Sequence, residues 1–178
     1  MKYKTYIQAL AFEEIIRSAY ETLHVECQGV LFGIQKENKD NLVWIVESAH
    51  PIQLVKRYNK KTEPLIGSER GLCSLITEKI GDFHLHPSQK NNPGRMALSK
   101  TDINGLKENS PGIEILLALK HVKTRKKLKE KPLLISGYLC EDNQTYNINM
   151  GVYHYDDFDK RIRRCEIIVS KKMRSLIN

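Results

Sequence analysis

Apolar, β-branched runs in both halves of the chain, each divided from the next by a short polar break, constrain its fold more than any other feature. GVLFGIQ at 29–35 and LVWIVESAHPI at 42–52 flank the polar KENKDN, an arrangement that reads as a hairpin of two strands. After a Ser-Pro-Gly break at 110–112 come IEILLALKHV (113–122), PLLISGYLC (132–140) and TYNINMGVYHY (145–155), three further strand candidates. Helical spacing lies between and before these runs. Over 5–23, Ile7, Leu10, Ala11, Ile15, Ala19 and Leu23 recur at steps of three and four, which predicts an amphipathic first helix. A loop over 53–68 and a helix from Glu69 to Lys79, ended by Gly81, precede the extended DFHLH at 82–86. Ser99 offers an N-cap hydroxyl and Asp102, three positions on, a carboxylate suited to the helix dipole, so a short helix should run to about Glu108. The charged region after 155 carries no pattern that fixes its type. Hairpins toward both ends with helices interspersed predict an α/β fold, a mixed sheet packed against helices rather than a regular parallel βαβ repeat.

The 178 residues contain no Ser/Gly/Pro-rich linker, which suits one domain over 1–178 with a full core. No run approaches the roughly 18 consecutive apolar residues of a membrane helix, and the N-terminal MKYKTYIQALAFEE has no secretory h-region. The chain is expected to be cytoplasmic. Cys27, Cys73, Cys140 and Cys165 are far apart, and without a C-x-x-C pair they read as reduced, structural thiols. A net charge of +8 and a pI near 9.3 imply attraction to something anionic without naming it. The densest basic run, KHVKTRKKLKEK at 120–131, holds no aromatic residue on which a base could stack, and it reads as a solvated turn between strands.

His84 and His86 sit at i and i+2 of a strand, so both imidazoles point one way and together can offer two nitrogens to one ion. Pro87 then ends the ladder. Catalytic zinc usually takes three protein ligands and keeps a fourth position for water. Asp102, in the first turn of the helix after the loop, is the natural third ligand. A His-x-His pair by itself is more often packing or solvent-facing residues than a metal site. It gains meaning beside Ser-x-x-Asp downstream and, upstream, a glutamate in E-x-x-G-x-x-x-G, the stretch Glu26-Cys27-Gln28-Gly29-Val30-Leu31-Phe32-Gly33.

That combination of a glutamate before a Gly-containing strand, then His-x-His-Pro, then Ser-x-x-Asp, resembles the signature of the JAMM (MPN+) zinc isopeptidases, over roughly residues 10–140. The resemblance implies the fold of that family, a curved mixed sheet flanked by helices and related to cytidine deaminases. It implies a single Zn2+ held by His84, His86 and Asp102. It also implies Glu26 as general acid/base, which holds the attacking water without ligating the ion, and Ser99 as a donor to the developing oxyanion. The implied substrate is a bond after the C-terminal glycine of ubiquitin or a ubiquitin-like protein, whose extended tail lies against a sheet edge. The chain's compact length points to a prokaryotic-type member. Two departures stand out: twelve residues separate His86 from Ser99, more than is usual, and the glycine-aromatic pair before the first histidine is loosened to Gly81-Asp82-Phe83. Residues 88–98 are therefore expected to bulge at the rim of the site and shape access.

Asp82 is expected on the face of the ligands, where it could support one of them. His24, His50, His121 and His154 have no partner at ligand spacing and read as ordinary residues. The alternatives are a non-catalytic scaffold of the same fold or a nucleic-acid-binding module using the basic surface; neither nucleic acid nor membrane is the expected partner. A zinc deaminase lacks its Pro-Cys-x-x-Cys half here, and no G-x-S-x-G or cysteine-nucleophile motif supports other hydrolases.

Overall fold

Alternation, not helical spacing, governs the first seven residues: Thr5 and Ile7 point inward while Tyr6 is exposed. The computed structural model describes the chain apart from residues 53–54, 58–61, 65–77, 89–92, 142 and 178, with backbone alone at 55–57 and 62–64. Its elements are β1 (Lys2–Ile7), α1 (Ala9–Glu21), β2 (Gln28–Glu37), β3 (Asn41–Pro51), β4 (Val55–Arg57), β5 (Thr62–Pro64) and β6 (Glu78–His86), followed by α2 (Lys100–Glu108), β7 (Ile113–Val122), β8 (Ile135–Glu141), β9 (Gln144–Asp156), β10 (Arg161–Arg164), β11 (Glu166–Ile168) and the single turn α3 (Lys171–Arg174).

Among the described residues nine strands form one mixed sheet in the order β10-β9-β7-β6-β2-β3-β1-β11, with β8 also on β9; β4 and β5 form a separate pair. The hairpin of β2 and β3 and the run of β7, β8 and β9 lie where the sequence predicts them. The first helix does too, except that it begins at Ala9 rather than near residue 5. Residues 2–7 pair in parallel with β3 on one edge and β11 on the other, and these two ladders override the helical spacing that Ile7 and Leu10 suggest. Leu10, assigned by that spacing to the core, is 76 % exposed. The helix expected over Glu69–Lys79 falls outside the described residues except at its end, where Glu78 and Lys79 belong to β6. Gly81 therefore sits inside a strand rather than ending a helix. A side chain there would collide with β7, since an added Cβ would lie 2.0 Å from the Ile113 carbonyl oxygen.

α1 covers one face of the sheet, its Phe12, Ile15 and Ala19 joining Trp44, Leu85, Ile115, Leu117 and Leu119 in the main core. β7 alternates, so Leu116 points to the opposite face and packs with Leu106 of α2 and with Tyr153 and Tyr155. The sheet is curved enough for β1 and β3 to meet β9 across its interior: the His154 ring lies 4.8 Å from Trp44 and 5.3 Å from Tyr3. Tyr3 Oη donates to Asp156 Oδ2 at 2.6 Å. Asp156 also accepts from Arg163 Nε at 3.3 Å and, through Oδ1, from the N–H groups of Phe158 and Asp159. It thus ties β1 to the turn between β9 and β10.

The Tyr3 hydrogen bond, ahead of Arg163, holds the Asp156 carboxyl below its ordinary pKa. Because the folded pKa is the lower one, the stabilisation is present above the unfolded aspartate range near 3.9 and is lost as pH falls through the lowered folded value. Asp156→Ala should cost about 2–3 kcal/mol at pH 7, the scale of a charge-assisted hydrogen-bond cluster. In urea titrations the difference between variant and parent should shrink toward pH 3.

Candidate metal centre

β2 and β6 run antiparallel with Gln28 opposite His84, and Leu85 N–H donates to the Cys27 carbonyl at 3.0 Å. This ladder carries Glu26, two positions before Gln28, to the side of the sheet where His84 and His86 point. One oxygen or nitrogen from each of Glu26, His84 and His86 lies within 4.8 Å of the other two, so these three residues could hold a metal ion. Parallel pairing sets Asp82 beside Glu114 and His84 beside Leu116. Glu114 therefore shares that face, as does α2, which docks over Leu116.

The protons are what make the pair of histidines a ligand set. His84 Nδ1 donates to Glu114 Oε1 at 2.6 Å, and His86 Nδ1 donates to the Arg95 carbonyl, which can only accept, at 2.7 Å. When neutral, each ring presents its lone pair at Nε2, and the two Nε2 atoms face each other at 3.2 Å. At that distance the two nitrogens can share one proton or one metal ion. Two nitrogens on a tetrahedral zinc with bonds of about 2.0–2.1 Å sit roughly 3.3 Å apart, so the donor set fits the ion. Burial favours neutral His84, but the Glu114 hydrogen bond and charge, with Asp102 and Glu26, outweigh it and raise the pKa. Burial keeps His86 below its ordinary value against the Arg95 carbonyl.

Ser99 caps α2 as predicted. Its Oγ accepts from Asp102 N–H at 3.2 Å while Asp102 Oδ2 accepts from Ser99 N–H at 2.6 Å, a reciprocal capping box. The same Oδ2 stands 3.6 Å from His84 Nε2, so Asp102 borders the Glu26, His84 and His86 trio. Accepting from Asp102 leaves the Ser99 hydroxyl proton available to donate. A cavity of about 160 Å³ opens beside the trio, lined by carboxylates of Glu26, Asp82, Asp102 and Glu114. Asp82 turns to Lys79 Nζ at 2.9 Å and to Asn109 Nδ2 at 3.5 Å.

Comparison with known proteins adds to this at the level of fold. No family model matches the chain, and no curated protein matches its sequence. Among solved structures, a Desulfitobacterium hafniense protein determined in solution has TM-score 0.52 at 16 % identity, covering 93 % of this chain and 92 % of its own. A JAB1/MPN domain protein from Archaeoglobus fulgidus has TM-score 0.32 at 17 % identity, covering 65 % of this chain and 76 % of its own.

Within the described part of the 88–98 loop, residues 93–98 fold back over the sheet. Gly94 N–H donates to the Leu119 carbonyl at 2.8 Å, an approach close enough that a Cβ at 94 would lie 2.1 Å from the His86 carbonyl oxygen. Tyr153 Oη donates to the Met96 carbonyl at 3.0 Å. The loop is anchored where it supplies the Arg95 carbonyl to His86, so it supports the site as well as edging it. The remaining histidines pack: His154 donates to the Gly112 carbonyl, His24 and His121 each meet the Tyr146 ring edgewise, and His50 meets Phe32.

Glu114 is the functional residue that sequence reasoning missed. Its signal was present, a carboxylate inside the otherwise apolar IEILLAL. A carboxylate on the far nitrogen of a ligating histidine fixes its tautomer and raises its basicity, and loss of such a partner typically costs 10–100-fold in metal affinity. Glu114→Gln should lower zinc affinity by about that factor in a chelator competition, with the circular dichroism spectrum unchanged.

Proposed function

We propose that the chain is a zinc-dependent peptidase of the JAMM type, with the MPN fold, that hydrolyses a peptide or isopeptide bond after the C-terminal glycine of ubiquitin or a ubiquitin-like protein in the cytoplasm. One observation carries the reading: His84 and His86 face each other through Nε2 at 3.2 Å with both Nδ1 atoms already hydrogen-bonded, to Glu114 and to the Arg95 carbonyl. The order of Glu26, His84, His86, Ser99 and Asp102, which resembles that family's signature, supports it further.

On this reading His84, His86 and Asp102 hold the ion. Bound there, zinc would supply a Lewis acid that polarises the scissile carbonyl and acidifies water. Glu26 takes the proton of the attacking water and passes it to the departing amine, a role that suits its place beside the histidine nitrogens. The Ser99 hydroxyl donates where negative charge develops on the carbonyl oxygen. The carboxylates of the adjoining cavity favour a leaving group that departs as an ammonium.

Zinc analysis paired with mass-read cleavage of ubiquitin-like proteins bearing C-terminal extensions tests the reading. Glu26→Gln should retain zinc and lose cleavage, whereas His84→Ala should lose both. Retention of cleavage in Glu26→Gln, or a purified protein that takes up no zinc, overturns it. Full zinc with no member of the panel cleaved turns the assignment toward a binding role. Ser99→Ala should lower kcat by roughly 10²–10³, the range for one oxyanion donor, and cost about 1 kcal/mol of stability through the lost cap.

A further inference from the structure

Between residues 120 and 131 seven lysines and arginines accompany one acid, Glu130, and Glu130 pairs with Arg174 at 3.5 Å. Among the described residues, none of the seven meets a carboxylate at ion-pair distance. A run of this kind could be a loosely solvated turn, but here it is pinned. Lys126 N–H donates to Tyr138 Oη at 2.7 Å, and that hydroxyl donates back to the Lys126 carbonyl at 2.8 Å. The Arg125 guanidinium lies 5.8 Å over the Tyr138 ring, and its Nη2 donates to Cys140 Sγ at 2.6 Å.

Folding also supplies what the run lacks in sequence. Arg125 and Tyr138 form one wall of an open groove of about 450 Å³, and Ile16, Arg17 and Tyr20 of α1 line it as well. Tyr20 is 41 % exposed although it belongs to the helix that covers the core. The acid on this rim, Glu13, is held by Arg17 at 3.6 Å. The groove therefore combines an exposed and a half-buried tyrosine, a guanidinium stacked on the latter, and a neighbouring run of cations that meet no carboxylate among the described residues. Stacking platforms beside a cationic track are how single strands are bound without sequence preference. A paired duplex keeps its base faces stacked and has none to offer these rings, and an acidic peptide would use the cations but not the rings.

We propose that this groove binds single-stranded nucleic acid, with bases stacked on Tyr20 and Tyr138 and phosphates held by Arg125 and the lysines of 123–129. It shares no lining residue with the cavity beside the histidines. The inference stands independently of the proposed peptidase activity.

Fluorescence anisotropy of a labelled oligouridylate of about 15 nucleotides, titrated with the full chain, provides the test. The single strand should bind more tightly than an RNA duplex of equal length, and polyglutamate should compete poorly. Tyr20→Ala, at an exposed helix position, should weaken binding roughly tenfold, one stacked base, without changing the salt dependence. Replacing Lys123, Lys126 and Lys127 by Gln should reduce the slope of log affinity against log salt by about 2. Glu26→Gln should bind as the parent does. Absence of binding, indifference to Tyr20→Ala, or polyglutamate competing as well as the oligonucleotide would each overturn the proposal, the last by assigning the groove to an acidic protein.

Discussion

Strand β6 is hydrogen-bonded on both edges, antiparallel to β2 and parallel to β7, and the meeting of Glu26, His84, His86 and Glu114 descends from that double pairing. A strand at a sheet edge can slip by one residue and turn its side chains over, but a strand held from both sides cannot without breaking two ladders. The register with β2 brings Glu26 to the histidines, and the register with β7 brings Glu114 behind His84. The tight approach at Gly81, where β6 passes β7 without room for a side chain, belongs to the same constraint.

Such a centre is costly to fold around. His84 and Glu114 are only 6 % and 9 % exposed, and a buried carboxylate is tolerated only when partners replace the water it loses. Each is that partner for the other. The exchange leaves Nε2 of His84 turned toward Nε2 of His86, where the two can hold one cation between them. The framework around them is secured by an apolar core on one face and a capped helix on the other.

Sequence reasoning reached the parts of this that depend on local pattern. The β2 and β3 hairpin, the strand carrying His84 and His86, and α2 with its Ser99 cap all follow from alternation, turn residues or capping chemistry. It failed where distant segments decide. Thr5–Ile7 reads as the start of a helix until β3 and β11 are available to flank it, and Gly81 reads as a helix stop until β7 lies against it. Glu114 was visible as a charge in an apolar strand, but its meaning needed the parallel register with β6. Tyr20 and Tyr138, more than a hundred residues apart, acquire a shared groove only in the fold.

The manner in which β9 is covered has a bearing on how the protein behaves at high concentration. At thirteen residues it is the longest strand described, and its side away from β7 is divided, β8 taking the first half and β10 the last residues. At the other end the sheet finishes on β11, three residues long. Long, flat, unpaired rims are what recruit further chains into runaway strand addition. Here the strands that close the two ends of the sheet are short, β10 with four residues and β11 with three, so they offer little backbone for a neighbouring molecule to join.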